Sequence, residues 1–446
     1  MNTPSFSHPM DELVYQAVFG DDSQKQAARF SIWQQAITGG IVPASINDFY
    51  MAKGDGRVPK DLTVPAMNIR GMAYDTARAA FSAAKKHSVG ALIFEIARSE
   101  IGYTDQRPEE YTTVLMAAAL REGWSGPLFV QGDHFQSKAS RPGVPKEGEI
   151  ETIKDLIAEA IRGGFYNIDI DMSTLVDLDK STEAEQQLAN IDYSLEITKF
   201  VRDLEPAGVT VSLGGEIGHI GGKNSTLEDL RAYVDGFNAG LTPDTIGMSK
   251  ISIQTGTHHG GVVLADGTLA DVSVDFGVLK DVSQVSRDEY GMGGGVQHGA
   301  STLPDEYFNQ FTKSEAVEVH LATGFQNIQF EHEAFPSELR DKMYAWLDET
   351  MSDERKPEQT VEQFHYSFRK KAWGEFKQAT WDMPEENKTK IRQSLEERFS
   401  FFYEQLNVVN TAELVNSLVK PVAPVKTEVD FGFSKTNDDD VSGLAD

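Results

Sequence analysis

Leu128-Phe129-Val130-Gln131-Gly132-Asp133-His134 is a run of apolar residues that ends in glycine and two groups able to exchange protons or bind metal. The run predicts a short buried strand. Three later apolar runs end in the same way, at Glu216, at His258 and His259, and at His298, each beside glycine. Parallel α/β proteins place their catalytic and binding residues at the carboxyl ends of the strands and in the loops that follow. We therefore interpret these runs as strands that carry reactive groups to one face.

The composition limits the classes of protein that fit. The 446 residues are 40% hydrophobic, enough for one large domain with extensions or for two domains. The net charge of -28 argues against nucleic acid or an anionic membrane as a partner. Because cysteine is absent, any metal must be held by His, Asp and Glu. No run approaches the roughly 20 apolar residues of a membrane span, and the N-terminus lacks the apolar core of a signal peptide. We expect a cytoplasmic protein.

Strand patterns alternate with helical patterns over most of the chain. Eight such units predict a closed (β/α)₈ TIM barrel with additional N-terminal and C-terminal helical segments. A doubly wound open sheet is the alternative, but no Gly-x-Gly-x-x-Gly follows the first strand. The eight predicted strands cover residues 63–69, 90–96, 127–134, 166–173, 209–217, 250–259, 295–301 and 325–331.

The same patterns suggest four regions. Residues 1–60 form an N-terminal helical extension, residues 61–335 the barrel and catalytic domain, and residues 336–417 helices packed on the barrel. Residues 418–446 contain two prolines and an acidic run. We interpret them as an acidic tail, or as an arm that reaches a neighbouring subunit.

Three histidines end predicted strands three, six and seven: His134, His259 and His298. All strand ends of a barrel emerge on one face, so these imidazoles should converge. Three imidazoles that leave a coordination position open form a catalytic zinc site. An ordinary hydrogen-bonded histidine explains any one of them alone, but not the coincidence of three. Between His258 and His259 we favour His259, since Gly260 follows it and allows close approach of a ligand.

Three carboxylates close predicted strands three to five: Asp133, Asp171 and Glu216. Alternation along the strand should point Asp133 away from His134, although a side chain at the strand end can still reach a ligand. A cluster of the three around a cation suits acid–base chemistry and a second metal. Buried, partnered carboxylates are the alternative. His219, in the glycine-rich loop after strand five, can also reach the metal.

An anion site is predicted near strands seven and eight. Gly299 and Ser301 follow strand seven, and Asn327 lies on predicted strand eight, where barrel enzymes commonly bind phosphate. Backbone N–H groups at Gly260 and Gly299 can donate to phosphate oxygens.

Taken together, the motifs resemble those of the class II, metal-dependent ketose-bisphosphate aldolases of the fructose and tagatose types, from about Val64 to Val409. The matching pieces are Pro-Ala-Met-Asn (Asn68), Ile-Ala-Arg-Ser-Glu (Ser99), Gly-Asp-His (Asp133, His134), Asp-Ile-Asp-Met-Ser (Asp171), Gly-Glu-Ile-Gly-His-Ile-Gly-Gly (from Glu216), Gly-Thr-His-His-Gly (His259), Val-Gln-His-Gly-Ala-Ser (His298, Ser301) and Gly-Phe-Gln-Asn-Ile (Asn327).

The resemblance implies an aldolase mechanism. In that family, zinc held by three histidines polarises the ketose carbonyl and stabilises the enediolate left when the C3–C4 bond breaks. The aspartate that matches Asp133 moves the proton at the C4 hydroxyl. The resemblance thus implies a zinc cofactor, with room for a second divalent or monovalent cation, a phosphorylated sugar substrate, and a homodimer or homotetramer. Cobalt or manganese also suits the ligands.

The sequence departs from the family at the proton donor. The family's loop after strand five carries a glutamate two residues beyond the Gly-Gly pair, where this chain has Asn224. Asparagine cannot donate the proton, so the role is vacant or passes to His219 or Glu228.

It departs again at the phosphate site. The family's phosphate-binding lysine has no counterpart among residues 261–263, and Asn327 is not followed by the family's Asp-Thr. Lys138, Arg141 or Lys223 is a candidate for the missing cation.

We therefore expect a zinc-dependent carbon–carbon lyase acting on a ketose phosphate or related sugar. Two alternatives remain open. A non-catalytic aldolase-family subunit is favoured by the missing glutamate and opposed by the retained histidines. A metal-dependent sugar-phosphate isomerase or epimerase would use the same barrel.

Overall fold

The computed structural model describes residues 6–217, 223–256 and 274–432. The predicted site residues His219, His259 and Gly260 therefore lie outside the described residues. The described strands are, in chain order, β1 (Ile41–Ala44), β2 (Val64–Asn68), β3 (Ile93–Ala97), β4 (Gly126–Gln136), β5 (Ala139–Arg141), β6 (Val144–Pro145), β7 (Asn167–Asp171), β8 (Ser212–Glu216), β9 (Lys250–Ile253), β10 (Gly295–Gln297) and β11 (Glu318–Leu321).

Eight of these strands close into a parallel barrel in the order β2-β3-β4-β7-β8-β9-β10-β11, with β11 pairing back to β2. Closure excludes the open doubly wound sheet and confirms the predicted (β/α)₈ class. Two pieces stand outside the barrel. Strand β1 pairs with the first four residues of β4, and β5 and β6 form an antiparallel pair in the loop that follows β4.

Helices follow the barrel strands and cover their outer side. Their starts often carry sequence signals, such as the capping boxes at Thr182 and Thr226. The described helices are α1 (Pro9–Phe19), α2 (Asp22–Thr38), α3 (Asn47–Gly54), α4 (Ala73–Lys86), α5 (Arg98–Tyr103), α6 (Pro108–Glu122), α7 (Glu149–Gly163), α8 (Glu183–Leu204), α9 (Leu227–Gly240), α10 (Phe276–Asp288), α11 (Phe308–Lys313), α12 (Thr323–Glu331), α13 (Ser337–Thr350), α14 (Val361–Phe368), α15 (Ala372–Glu375), α16 (Lys377–Trp381), α17 (Glu385–Gln405) and α18 (Ala412–Leu418).

The predicted eighth strand is wrong. Residues 325–331 lie in helix α12, and the eighth strand is the earlier segment Glu318–Leu321. The segment alternates apolar Val317, Val319 and Leu321 with polar Glu318 and His320, all of them buried. The polar side chains point into the barrel, so the segment lacks the continuous apolar run that predicts a buried strand.

The C-terminal segment packs on the rest of the chain. Helix α17 lies along α4 and buries its apolar stripe, including Leu395 and Phe399. Beyond α18 the chain runs back to α2, where the Phe431 ring lies 5.6 Å from that of Phe30. The proposed domain boundaries, and the arm beyond Gly432, stay predictions. Among the described helices none is long and apolar enough to cross a membrane.

Candidate active site

A bulge in β4 shapes the site. Gly132 is opposite Ile168 on β7 and Phe135 is opposite Ile170, so β4 holds one extra residue between these pairs. His134 accommodates the extra residue by adopting a left-handed backbone conformation, with a φ of 42°. The bulge breaks the strict alternation that predicted opposite directions for the two reactive side chains. Asp133 and His134 instead line the same cavity, with Asp133 Oδ1 3.9 Å from His134 Nε2.

Asp171 orients the His134 ring. His134 Nδ1 lies 2.9 Å from Asp171 Oδ2 and 3.1 Å from Glu216 Oε2. We assign the proton to Nδ1, because an ionised carboxylate only accepts. Gln136 also donates to Asp171, and the Ser173 backbone and hydroxyl bind its other oxygen. Asp171 thus lies behind His134, where it orients the imidazole ring. Its role as a metal ligand stays a prediction.

His134, Glu216 and His298 form the first candidate metal centre. One ligand atom from each lies within 4.8 Å of the other two. The His134 and His298 rings come from β4 and from the end of β10, and their centroids are 4.2 Å apart. Two imidazoles and a buried carboxylate suit a divalent cation of the zinc class. These described residues therefore fit the metal that the motifs imply.

His320 is a site residue that the sequence analysis missed, because its strand was misplaced. Its ring centroid lies 4.1 Å from that of His298, and its Nδ1 lies 3.2 Å from Asp133 Oδ1 and 3.1 Å from Glu95 Oε2. Its Nε2 lies 2.5 Å from Glu318 Oε1. Polar and apolar residues alternate along this strand. Assigning the polar side chains to the inside of the barrel would have identified His320 from the sequence.

A polar network fills the barrel below the histidines. Lys250 Nζ lies 2.6 Å from Glu318 Oε1 and 2.9 Å from Asp169 Oδ1, and donates to Gln131 at 2.7 Å. Gln131 donates to Glu318, and so does the Tyr50 hydroxyl. These side chains are buried, so the interior of this barrel is charged at the level where many barrels are apolar.

Burial and neighbouring charges set the pKa values in the cluster. Burial and the charge of Asp171 raise the pKa of Glu216 to about 7. Burial, together with the charges of His320 and His134, holds the pKa of His298 well below its usual value. Burial opposes ionisation of Asp133, but the charges of His134 and His320 outweigh it and hold its pKa well below the usual value. Asp133 is therefore a carboxylate beside a neutral His298, a combination that can bind metal.

The cluster forms the floor of a cavity of about 560 Å³ at the carboxyl ends of the strands. The wall includes four predicted substrate-binding residues: Asn68, Ser99, Gly299 and Ser301. Among the described residues that line it, four are basic: Arg70, Arg98, Lys138 and Lys370.

Two of these four basic side chains already form an ion pair with a carboxylate. Arg70 and Arg98 are paired with Glu100 and Glu149. Lys370 forms no hydrogen bond or ion pair with any described residue, and burial lowers its pKa.

Other predicted groups lie elsewhere. Asn327, on α12, donates to the Tyr366 hydroxyl and accepts from Arg369, and is not part of the cavity wall. Of the candidate replacement cations, Lys138 lines the cavity. Arg141 lines a separate surface groove, and Lys223 lies beside Asp229 at the start of α9. Glu228, exposed on the first turn of α9, is also outside the cavity wall.

Two solved structures with TM-scores above 0.5 share the fold. A fructuronate-tagaturonate epimerase from Cohnella laeviribosi aligns over 86% of each chain with 10% identity and a TM-score of 0.58. A protein described as a probable tagatose 6 phosphate kinase from Sinorhizobium meliloti 1021 covers 83% of this chain and 96% of its own, with 13% identity and a TM-score of 0.53. The fructose-bisphosphate aldolase of Campylobacter jejuni covers 83% and 96%, with 17% identity and a TM-score of 0.48.

Sequence comparison gives a family but no individual relative. No curated protein matches the chain. The family model for fructose-bisphosphate aldolase class-II matches residues 59–392, which include the whole barrel and the histidine cluster. The chain therefore belongs to the class-II fructose-bisphosphate aldolase family.

Proposed function

We propose that the chain is a metal-dependent carbon–carbon lyase that cleaves and forms a bond in a ketose phosphate, a ketose bisphosphate or a related sugar. The observation that carries this proposal is the convergence of one ligand atom each from His134, Glu216 and His298, of which the two histidines line the cavity. Zinc is the proposed cation. When bound there, it would act as a Lewis acid that draws negative charge onto the substrate carbonyl oxygen.

Asp133 is the proposed proton-transfer group. Its carboxylate lines the cavity beside both histidines, and it is 6% exposed. The contacts with the surrounding imidazoles use Oδ1. Oδ2 is then the oxygen that accepts a hydroxyl proton from the substrate during cleavage and returns it during synthesis.

An anionic end of the substrate is the proposed ligand of the basic wall. Lys370 and Arg70 face the cavity in a protein whose net charge is -28. Arg70 is held by Glu100 and by the Thr323 hydroxyl, which fixes its position, whereas the Lys370 amine has no described partner. A phosphate or carboxylate between them would pair with Lys370 without breaking an existing ion pair.

Epimerisation of a sugar acid is the second candidate. The basic wall accepts a carboxylate as well as a phosphate, and the family glutamate of the strand-five loop is replaced by Asn224. The Cohnella laeviribosi epimerase shares this fold. An epimerase would return a six-carbon product, whereas a lyase releases a three-carbon fragment.

Product analysis separates the two. Zinc-loaded protein is incubated with a panel of ketose phosphates, ketose bisphosphates and ketouronates, and products are identified by mass spectrometry and NMR. We expect three-carbon fragments, and their loss in Asp133→Asn. A matched control is Asp203→Asn, an exposed carboxylate on α8 that pairs only with Lys199 among the described residues. An epimer without three-carbon products would replace the lyase by the second candidate, and no turnover of any substrate would contradict both.

A further inference from the structure

The proposed cleavage needs a second proton transfer for which no donor has been assigned. Asp133 accepts the hydroxyl proton, and the electrons of the broken bond stay on a carbon atom of the three-carbon fragment. This carbon must gain a proton before the fragment becomes a ketone. The family glutamate of the loop after strand five is replaced by Asn224, and an amide side chain has no acidic proton at neutral pH. Another side chain of the cavity therefore has to supply the proton.

Glu95 is an acidic residue of the cavity wall that the proposed steps do not use. It lies on β3, where it is opposite Asn68 on β2 and Gln131 on β4. The Tyr111 hydroxyl donates to its backbone carbonyl at 2.6 Å, which fixes the strand at this point. The Glu95 side chain is buried and belongs to the residues that line the cavity.

The other carboxyl groups in the described part of the cavity wall are Asp133 and Glu100. Burial opposes ionisation of Glu100, but the charge of Arg70 and a hydrogen bond from the Ala97 backbone outweigh it and lower its pKa. Glu100 is therefore a carboxylate without a proton to donate. Asp133 accepts a proton in the same reaction, so Glu95 is the carboxyl group left for the role of donor.

The two carboxyl oxygens of Glu95 have different surroundings. Oε2 accepts a hydrogen bond from the Gln131 amide at 3.0 Å and lies 3.1 Å from His320 Nδ1. The orientation of this amide is fixed, because its oxygen accepts a hydrogen bond from Lys250, which can only donate. Oε1 is buried and has no hydrogen-bond partner among the described residues. A proton on Oε1 is therefore free to form a hydrogen bond with a bound substrate.

The surroundings of Glu95 favour its protonated form. Burial raises the pKa of Glu95 well above its usual value, and the charges of Asp133, Glu318 and Asp169 act in the same direction. The charge of His320 opposes these effects without outweighing them. A carboxyl group that stays neutral in such a place is a hydrogen-bond donor and a general acid at neutral pH.

We propose that Glu95 is the general acid of the lyase reaction and that its Oε1 delivers the proton to the three-carbon fragment. This assignment rests on the proposed function. During cleavage the C3–C4 bond breaks, its electron pair stays on the three-carbon fragment, and that carbon takes the proton from Oε1. Asp133 ends the step protonated and Glu95 ends it as a carboxylate, so the total charge is unchanged. Both groups return to their starting states by exchanging one proton with water as the products leave.

Hydrogen exchange in a three-carbon ketone tests the assignment without cleavage of a C–C bond. Zinc-loaded protein is incubated with dihydroxyacetone phosphate in D₂O, and the loss of a carbon-bound hydrogen is followed by proton NMR. We expect exchange in the wild type and a rate lower by about 100-fold or more in Glu95→Gln, since general acid–base catalysis contributes about 10²–10⁴-fold. The control Asp203→Asn should exchange at the wild-type rate. An equal rate in Glu95→Gln would overturn the assignment.

A single-turnover experiment separates a chemical role of Glu95 from a structural one. Glu95→Gln is mixed with the ketose that the wild type cleaves, and the aldehyde and the ketone are measured separately. Because Asp133 is intact, we expect about one aldehyde per chain to be released rapidly and the ketone slowly. Ferricyanide, which oxidises the carbanion, should then restore turnover of the aldehyde. Equal loss of both products in a variant with wild-type zinc content and circular dichroism would contradict the proposal.

Glu95→Asp keeps the test informative if Glu95→Gln folds poorly. It retains an acid but withdraws it by one methylene, so we expect exchange slower than in the wild type. Exchange at the wild-type rate would contradict direct transfer from this position. If His219→Gln abolishes exchange and the Glu95 variants do not, the loop histidine is the donor.

The proposed function can fail separately from this assignment. If the wild type cleaves a ketose and the Glu95 variants match it in exchange and in product release, the lyase proposal stands and the assignment of Glu95 fails. If the wild type cleaves no ketose and exchanges no hydrogen, both fail.

Discussion

Asp171 Oδ2 lies 2.9 Å from His134 Nδ1, so the imidazole donates a hydrogen bond to this carboxylate through Nδ1 and presents Nε2 to the cavity. Gln136 and Ser173 hold Asp171 in turn. Burial opposes ionisation of Asp171, but hydrogen bonds from His134 and Ser173 and the charge of His134 outweigh it and lower its pKa to about 2. This arrangement fixes both the tautomer and the direction of the histidine.

Asp171→Asn should therefore weaken zinc binding without removing a cavity-lining group. We expect a loss of affinity of about 10- to 100-fold, the usual effect of removing a carboxylate behind a metal-binding histidine. Isothermal titration of the stripped protein with zinc measures it, with Asp203→Asn as the control. An affinity equal to that of the wild type would show that the Asp171 contact does not orient the ligand.

Gly214→Ala should destabilise the barrel. A Cβ atom at this position on β8 would lie 2.4 Å from Asp169 Oδ1 and 2.9 Å from Lys250 Cε, two side chains that form a buried ion pair. Overpacking of this kind costs about 1–3 kcal/mol of unfolding free energy. Urea unfolding monitored by circular dichroism measures the change. Gly102→Ala, where a Cβ meets nothing within 4 Å, is the matched control. Equal stability of Gly214→Ala and the wild type would refute the close packing.

Lys370→Met should raise KM for an anionic substrate by about 10-fold or more and change kcat little, because a charged hydrogen bond contributes about 1.5–3 kcal/mol. Lys370→Arg should keep most of the affinity. Steady-state kinetics measures both. Lys371→Met is the control, since the neighbouring lysine stacks on Phe368 and is not in the cavity wall. An unchanged KM in Lys370→Met would remove this residue from the anion site.

Lys53 should make stability depend on pH. Its amine is fully buried and donates to the carbonyl oxygens of Leu62 at 2.5 Å and Ala316 at 2.8 Å. Burial and the charge of Arg287 lower its pKa from 10.5 to about 7. Between these two values the unfolded chain holds a proton that the folded chain has released, so the free energy of unfolding rises with pH.

We expect this rise to be about 2 kcal/mol larger in the wild type than in Lys53→Met between pH 7 and pH 9. Urea unfolding at a series of pH values measures the difference. Identical pH profiles in the two proteins would mean that Lys53 is charged in the folded state.

The sequence predicted the barrel because strand patterns alternate with helical patterns over most of the chain. It also predicted that the side chains of His134 and His298 lie close together, and their ring centroids are 4.2 Å apart. It failed at β11, where Glu318 and His320 face inward and pair with other buried groups, so the strand does not look apolar.

The site contained two further features that local patterns do not reveal. The bulge at His134 depends on the register between β4 and β7, which is a property of two strands. Lys370 enters the cavity from the segment after α14, far along the chain from the strand ends. Tertiary packing alone brings it to the site.

We propose that the imidazoles of His134 and His298 hold a divalent cation at the carboxyl end of the barrel. X-ray diffraction at the zinc absorption edge from crystals of zinc-loaded protein tests it most directly. We expect an anomalous peak within bonding distance of His134 Nε2 and of a His298 ring nitrogen, on the cavity side. A fully zinc-loaded crystal with no peak at these two imidazoles would contradict it.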